Sequence, residues 1–388
     1  MRFSSRMDKL ETGIFNRLSD IKQQVLAKGR SVIDLSVGTP NIPPSQEIID
    51  ALIREARDPA AYVYALTDTA PLQEAAALWY ARRYSVTIDP TTEVQSLLGS
   101  QDGLAHLSMV VGDAGDIVLA PDPGYPIFSV GPMIAGMQVY PMPLRRENAF
   151  LVDFSAIPHH IAQKARLMIL SYPNNPVAKL APPQFYQQAI AFAAQHNIII
   201  LHDNAYSELV FDGKEGGSFL SHPGAKDVGI EFNSLSKTYG LAGARIGFAL
   251  GNRDIIARLK QFKSNIDYGM FLPLQKAAIA AITGDQSNVA TTREAYQRRR
   301  DVLVEEFCSI GWNIEKSEGT MFVWAKLPNG RRDSTAFTLA LAKEAGVIVV
   351  PGISFGPGGE GYVRLALVQE EEAIRQAAAQ IRASNLLP

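Results

Sequence analysis

Short apolar runs recur along this chain, many of them followed by a stretch with helical spacing, and that alternation limits what it can fold into. The runs Val94–Leu98, Asp116–Ala120, Gln138–Tyr140, Leu167–Leu170, Ile198–Leu201, Ile230–Asn233 and Ile246–Leu250 are too short for buried helices and read as strands. Between several of them lie helical patterns such as Pro183–His196 and Asp254–Lys263. Parallel strands need long crossovers, so the alternation predicts an α/β layer around a mostly parallel sheet. Turn chemistry follows the strands at Asp122-Pro123-Gly124, Pro173-Asn174-Asn175-Pro176 and Asp203-Asn204. Loops at the C-terminal ends of such strands are where open α/β sheets bind ligands.

The pattern changes near residue 284. A long polar helix is expected from Gly284-Asp285 to about Phe307. It is followed by Phe322–Leu327, a helix at Ser334–Ala345, Val347–Val350, Tyr362–Leu367 and a last helix from Glu370. This block reads as a smaller α+β unit. Residues 1–44 read as too irregular to join the central sheet. The chain of 388 residues suggests about two or three domains at roughly 100–200 residues each. The expected division is a large domain at 45–284 and a small one formed by 1–44 with 285–388.

Composition excludes more than it suggests. Lys and Arg number 37 against 39 acidic residues, so no field would recruit nucleic acid or an acidic membrane. The single cysteine, Cys308, forms no internal disulfide and no Cys-rich metal site. No apolar stretch approaches the ~20 residues that cross a bilayer. Met1–Leu18 lacks a signal-peptide core, so a cytoplasmic protein is expected. The run Gly356–Gly361 has the letters GxGxxG, but a strand follows it where a dinucleotide motif needs a helix. His159-His160 has no third ligand in view, and no metal site is expected.

One segment is unusual. In Ser234-Leu235-Ser236-Lys237-Thr238-Tyr239-Gly240 a lysine stands among hydroxyls and glycine, between two strand-like runs, with Arg245 eight residues on. A solvated lysine on a surface turn is one reading. The other is an amine held by tight turns to form a Schiff base with a carbonyl, while hydroxyls and a guanidinium grip a phosphate.

With the landmarks that follow in order from Gly38 to Arg364, this segment resembles the cofactor-lysine signature of the fold-type I, class I/II aminotransferases, which work with pyridoxal 5′-phosphate. The resemblance implies an α/β fold-type I transferase that moves an amino group between an L-amino acid and a 2-oxo acid. It implies Lys237 as the catalytic, cofactor-bearing lysine. Asp203, in Asp203-Asn204-Ala205-Tyr206, would face the pyridine nitrogen; a helix N-cap is its alternative. Tyr206 and Asn175 would serve the 3-hydroxyl, and Tyr125, in Pro123-Gly124-Tyr125-Pro126, would stack on the ring; ordinary packing or turn roles would look the same. Gly99-Ser100-Gln101 opens a helix after a strand and can hold an anion at its N-terminus, with Ser234, Ser236 and Arg245 completing a phosphate cradle. Arg364 would hold the substrate α-carboxylate, together with Asn175 and the Gly38-Thr39-Pro40 turn; an ion pair with Glu360 is its alternative. Tyr64 resembles the tyrosine lent to a neighbouring subunit's phosphate, which implies a homodimer with shared sites. Tyr268 and Gly269 are further candidates for the substrate wall, with a plain loop as the equal alternative.

Three departures from the family pattern stand out. Asn175-Pro176-Val177-Ala178 replaces the usual Asn-Pro-Thr-Gly. Ala70-Pro71-Leu72-Gln73 stands where glycine and arginine are common. Asn41 stands for a frequent aspartate. Within the family the pieces most resemble the LL-diaminopimelate, alanine and aspartate branch. A C–S β-lyase on the same fold is the competing expectation. A cofactor-sensing regulator is the second, although such regulators usually add a basic DNA-binding segment ahead of Gly38.

Overall fold

The computed structural model describes residues 1–10 and 13–387. After the short β1 (Ile33–Asp34), the expected runs become β2 (Val94–Leu97), β3 (Ile117–Asp122), β4 (Gln138–Pro143), β5 (Ala165–Leu170), β6 (Ile199–Asp203), β7 (Gly229–Ser234) and β8 (Gly247–Gly251). They form one sheet in the order β2-β8-β7-β6-β5-β3-β4. Neighbours from β7 through β4 are parallel, whereas β8 is antiparallel to both β7 and β2.

The sheet is covered on both faces, which is why its strands read as continuous apolar runs. Leu167 and Ile169 of β5 pack into one cluster with Leu104, Leu107 and Phe128. Met168 and Leu170, pointing the other way, join a second with Trp79, Phe185 and Phe248. β4 runs past Tyr140 through Pro141 and Pro143, further than the sequence suggested. It lies on the sheet's edge, where missing N–H donors are tolerated.

Residues 1–44 are less irregular than expected, and this corrects the sequence reading. A helix spans Gly13–Ala27, burying Leu18, Ile21 and Val25 against Ala342 and Ile348. The three-and-four spacing of those side chains was the overlooked signal. β1 stays out of the central sheet, as expected, and pairs in parallel with β10 (Val347–Ile348).

A second, antiparallel sheet is made from β11 (Val350–Pro351), β12 (Tyr362–Ala366) and β9 (Phe322–Lys326), in that order. With the helices Ser287–Ser309, Ser334–Ala340 and Glu371–Ala383 it surrounds a separate apolar cluster that includes Tyr296, Phe307, Trp312, Val363 and Ile374. Ile33 and Leu35 join that cluster from the N-terminal side. The Gly356–Gly361 run packs on the end of β3: the Gly358 N–H donates to Asp122 Oδ1 at 2.9 Å. No described helix is long and apolar enough to cross a membrane.

Candidate functional site

A cavity of about 530 Å³ opens where the parallel strands end. The sheet order explains its contents, because β2, β8, β7 and β6 are neighbours and each delivers a polar residue at or just beyond one end.

β7 ends at Ser234, whose Oγ accepts the Ser236 N–H at 3.2 Å and caps a single turn, Leu235–Thr238. That turn carries Lys237 into the cavity, where its Nζ donates to the Gly38 carbonyl at 2.8 Å. Burial, then the nearby Arg364 and Arg245, bring the Lys237 amine down to about 8, with Asp203 opposing them. The chain leaves the turn through Arg245 at a φ of +54° and re-enters the sheet as β8. The Arg245 guanidinium lies against Gly99, the left-handed residue (φ +79°) between β2 and the helix Ser100–Val111. A Cβ on Gly99 would collide with it, so only glycine lets the arginine lie across this helix N-terminus.

Asp203 is the last residue of β6. Its Oδ1 is buried without a hydrogen-bond partner, and burial raises the carboxyl to about 6. A turn follows it, not a helix, so the N-cap alternative is set aside. Beside it the Tyr125 hydroxyl donates to Gln101 Oε1 at 3.1 Å, and burial pushes the hydroxyls of Tyr125 and Tyr206 up.

Arg364, on β12, reaches the same cavity from the second sheet. Nη1 donates to Asn175 Oδ1 at 3.0 Å and Nη2 to the Ser36 carbonyl at 3.1 Å, while Nε has no partner. Its guanidinium lies 4.0 Å from the Phe322 ring centroid and 4.8 Å from that of Phe355. The Glu360 alternative fails, since Glu360 Oε1 accepts the Ser334 and Gly361 N–H groups. Among the described residues no carboxylate pairs with Arg364. Burial lowers its guanidinium to about 10, which marks a cation prepared for an anion that arrives from outside.

The structure therefore brings Gly38, Ser100, Gln101, Tyr125, Asn175, Asp203, Tyr206, Ser234, Ser236, Lys237, Arg245 and Arg364 into one space. Tyr64 does not join them. It is 83 % exposed and packs edge-on against Tyr268, with ring centroids 5.9 Å apart. Tyr268 and Gly269 also lie outside the cavity wall of their own chain. Sequence reasoning missed Phe322, Phe355, Ile127 and Val130, whose apolar letters look the same in any core. The altered Asn175–Ala178 turn keeps the left-handed conformation that glycine usually serves, with Ala178 at a φ of +60°. Asn41 is tied down by Arg299, whose Nη1 donates to its Oδ1 at 2.9 Å. One group of potential metal ligands, Asp102, His106 and Asp267, lies nearby among the described residues. Its two carboxylates already accept from the buried Lys263 ammonium at 2.6 and 2.8 Å.

The model of the family described as aminotransferase class I and II matches residues 30–381. The chain belongs to that family. Members of the class I and II aminotransferases work with pyridoxal 5′-phosphate, and this chain is a pyridoxal-phosphate-dependent aminotransferase that moves an amino group between an amino acid and a 2-oxo acid. It is 43% identical to an LL-diaminopimelate aminotransferase of Moorella thermoacetica, over 98% of each chain, and 41% identical to one of Dehalococcoides mccartyi, again over 98% of each. Among solved structures, the aminotransferase resembles substrate-bound BacF of Bacillus subtilis at a TM-score of 0.96 and 38% identity, over 100% of this chain and 98% of that one. A probable N-succinyldiaminopimelate aminotransferase of Thermus thermophilus matches at 0.91 and 35%, over 95% and 99%. These likenesses favour transamination over the lyase alternative, and enzyme over regulator.

The cavity fits the cofactor on its own terms. It offers a buried amine, a buried carboxylate oxygen without a partner, and a helix N-terminus backed by hydroxyls and a guanidinium. These are what an aldehyde, a protonated ring nitrogen and a phosphate require.

Proposed function

We propose that the aminotransferase works through the residues gathered in this cavity, with Lys237 bearing the cofactor. The observation that carries the assignment is one cavity holding three buried ionisable groups with no ion-pair partner among the described residues: the Lys237 amine, the Asp203 carboxyl and the Arg364 guanidinium, the last two each with an unpartnered atom. Ser100, Gln101, Ser234, Ser236 and Arg245 would hold the phosphate, Tyr125 the ring face, Asp203 the ring nitrogen, and Asn175 with Tyr206 the 3-hydroxyl. Pyridoxal phosphate supplies an electron sink for the bond broken at the substrate α-carbon. Arg364, steadied by Asn175 and the Ser36 carbonyl, grips the substrate α-carboxylate and so orients the α-C–H bond, with the Gly38 turn closing over it. Lys237 Nζ takes the α-proton as general base and returns it as general acid. An amine at about 8 keeps a working share of the neutral form near neutral pH.

The phosphate assignment has a direct test. Gly99→Ala should raise the cofactor's dissociation constant at least about tenfold, since the new methyl meets Arg245 and the positive-φ extended backbone there costs a non-glycine residue roughly 1–3 kcal/mol. Spectroscopic titration of cofactor-free protein reads this directly. Unchanged affinity would remove Arg245 from the cradle.

For the donor we propose LL-diaminopimelate, supported by the names of relatives at 40–43% identity over nearly the whole chain. A donor panel with 2-oxoglutarate, pyruvate and oxaloacetate decides this. LL-diaminopimelate should exceed alanine and aspartate in kcat/KM by about tenfold or more; parity or less refutes the choice.

We further propose the division into 45–284 and 1–44 with 285–388, a homodimer, and a cytoplasmic setting. Two apolar clusters support the division, one drawn mostly from 45–284 and the other mostly from 1–44 with 285–388, although residues such as Trp324 and Phe355 cross to the first and Tyr206, Leu209 and Phe211 to the second. An exposed apolar strip containing Tyr62, Val63, Tyr64 and Leu66, beside Tyr268, supports pairing of two copies. If Tyr64 serves the partner's site, mixing inactive Tyr64→Ala and Lys237→Ala proteins should regenerate activity, because one hybrid site then carries neither change. No recovery after verified subunit exchange would confine Tyr64 to its own chain.

A further inference from the structure

A second cavity, of about 460 Å³, lies at the seam between the two apolar clusters. Phe150 and Val177 come from the side of the central sheet, Trp312 and Ile314 from the other cluster. Four cations, Arg146, Lys179, Lys316 and Lys326, line it against one acid, Glu315. Glu315 pairs with Arg146 across the seam, Lys316 is held by Asp301 at 2.9 Å, and Lys179 reaches Glu318 only at 3.9 Å. Lys326 is exposed and has no ion-pair partner among the described residues.

The Trp312 indole N–H donates to the Lys326 carbonyl at 2.8 Å, which fixes the aromatic ring in the wall. Trp324 lies parallel to Tyr362, with centroids 5.2 Å apart, and meets Phe355 edge-on at 5.9 Å. Phe355 in turn packs on the Arg364 guanidinium, and Trp324 is the direct cross-strand partner of Arg364. The seam cavity and the substrate cavity therefore share one aromatic wall.

We infer that this seam is a second ligand site, distinct from the catalytic cavity, that takes a small carboxylate with an apolar body. The carboxylate answers Lys326 and Lys179, and the body lies along Phe150, Val177 and Trp312. The seam site rests on its own lining, and only the Arg364→Leu control below rests on the carboxylate-binding role proposed for Arg364.

The probe is 3-phenylpropionate, titrated calorimetrically into the holoenzyme. Two sites per chain are expected, one of which is lost in Arg364→Leu. The other should weaken at least about tenfold in Lys326→Glu, the loss expected for one charge-assisted hydrogen bond. That variant, altered at an exposed side chain, should keep its transamination rate. Propionate should bind the seam at least about tenfold more weakly for want of the apolar body. Inorganic phosphate at matching concentration should not displace the probe. A single site abolished by Arg364→Leu and untouched by Lys326→Glu overturns the inference. Displacement by phosphate overturns the choice of a carboxylate with an apolar body.

Discussion

Lys237→Ala is expected to lower transamination by at least about a thousandfold, the range of a lost general base, and to abolish borohydride fixation of a pyridoxyl group on the chain. The loss should not come from unfolding. The folded amine, at about 8, lies below its ordinary 10.5, so its protonated form is the one the fold disfavours. That burden is full below pH 8 and fades as pH rises towards 10.5. In the cofactor-free protein, removing the amine at pH 7 should leave thermal stability equal or higher. Added methylamine should restore part of the rate, as a free amine can move the proton but cannot replace a structural lysine. A variant within tenfold of the parent, or one that still fixes the pyridoxyl group, would dismiss Lys237 as the working residue.

The second large effect combines gain and loss. Asp203→Asn should reduce kcat by about a hundredfold or more, as expected when a fixed charge opposite a developing one is removed. In the cofactor-free protein the same change should stabilise the fold. The carboxyl is raised from 3.8 to about 6, so its ionised form is the disfavoured one. The burden is absent below about pH 4, grows between the two values, and reaches about 3 kcal/mol above pH 6. Urea midpoints of the cofactor-free proteins should therefore separate at pH 8 and converge near pH 4. Equal midpoints at both pH values would show that Asp203 is already satisfied without a cation. A site that weakens its own scaffold in this way is a familiar exchange of stability for function.

Much of this was legible from the amino acids. The strand–helix alternation carried the parallel sheet, because buried strands leave apolar runs that no surface helix matches. Lys237 and Arg245 stood out because hydroxyls, glycines and charges gather around them without any need of the core. The helix at Gly13–Ala27 was missed because glycine and proline from Gly38 to Pro44 dominated the impression of that end. The reversed direction of β8 left no mark, since an apolar strand reads alike either way. Phe322 and Phe355 were illegible for a deeper reason: their contact with Arg364 depends on which strands pair, and in what register, within the second sheet, which no local pattern encodes.

That reversed strand has an engineering consequence. β7, the lysine turn and β8 form a hairpin clamped on one side by β6 and on the other by β2. One residue inserted between Ser234 and Gly247 would move Lys237 and Arg245 out of step with Asp203 and Gly99, which are bolted to those outer strands. The segment should therefore tolerate no change in length.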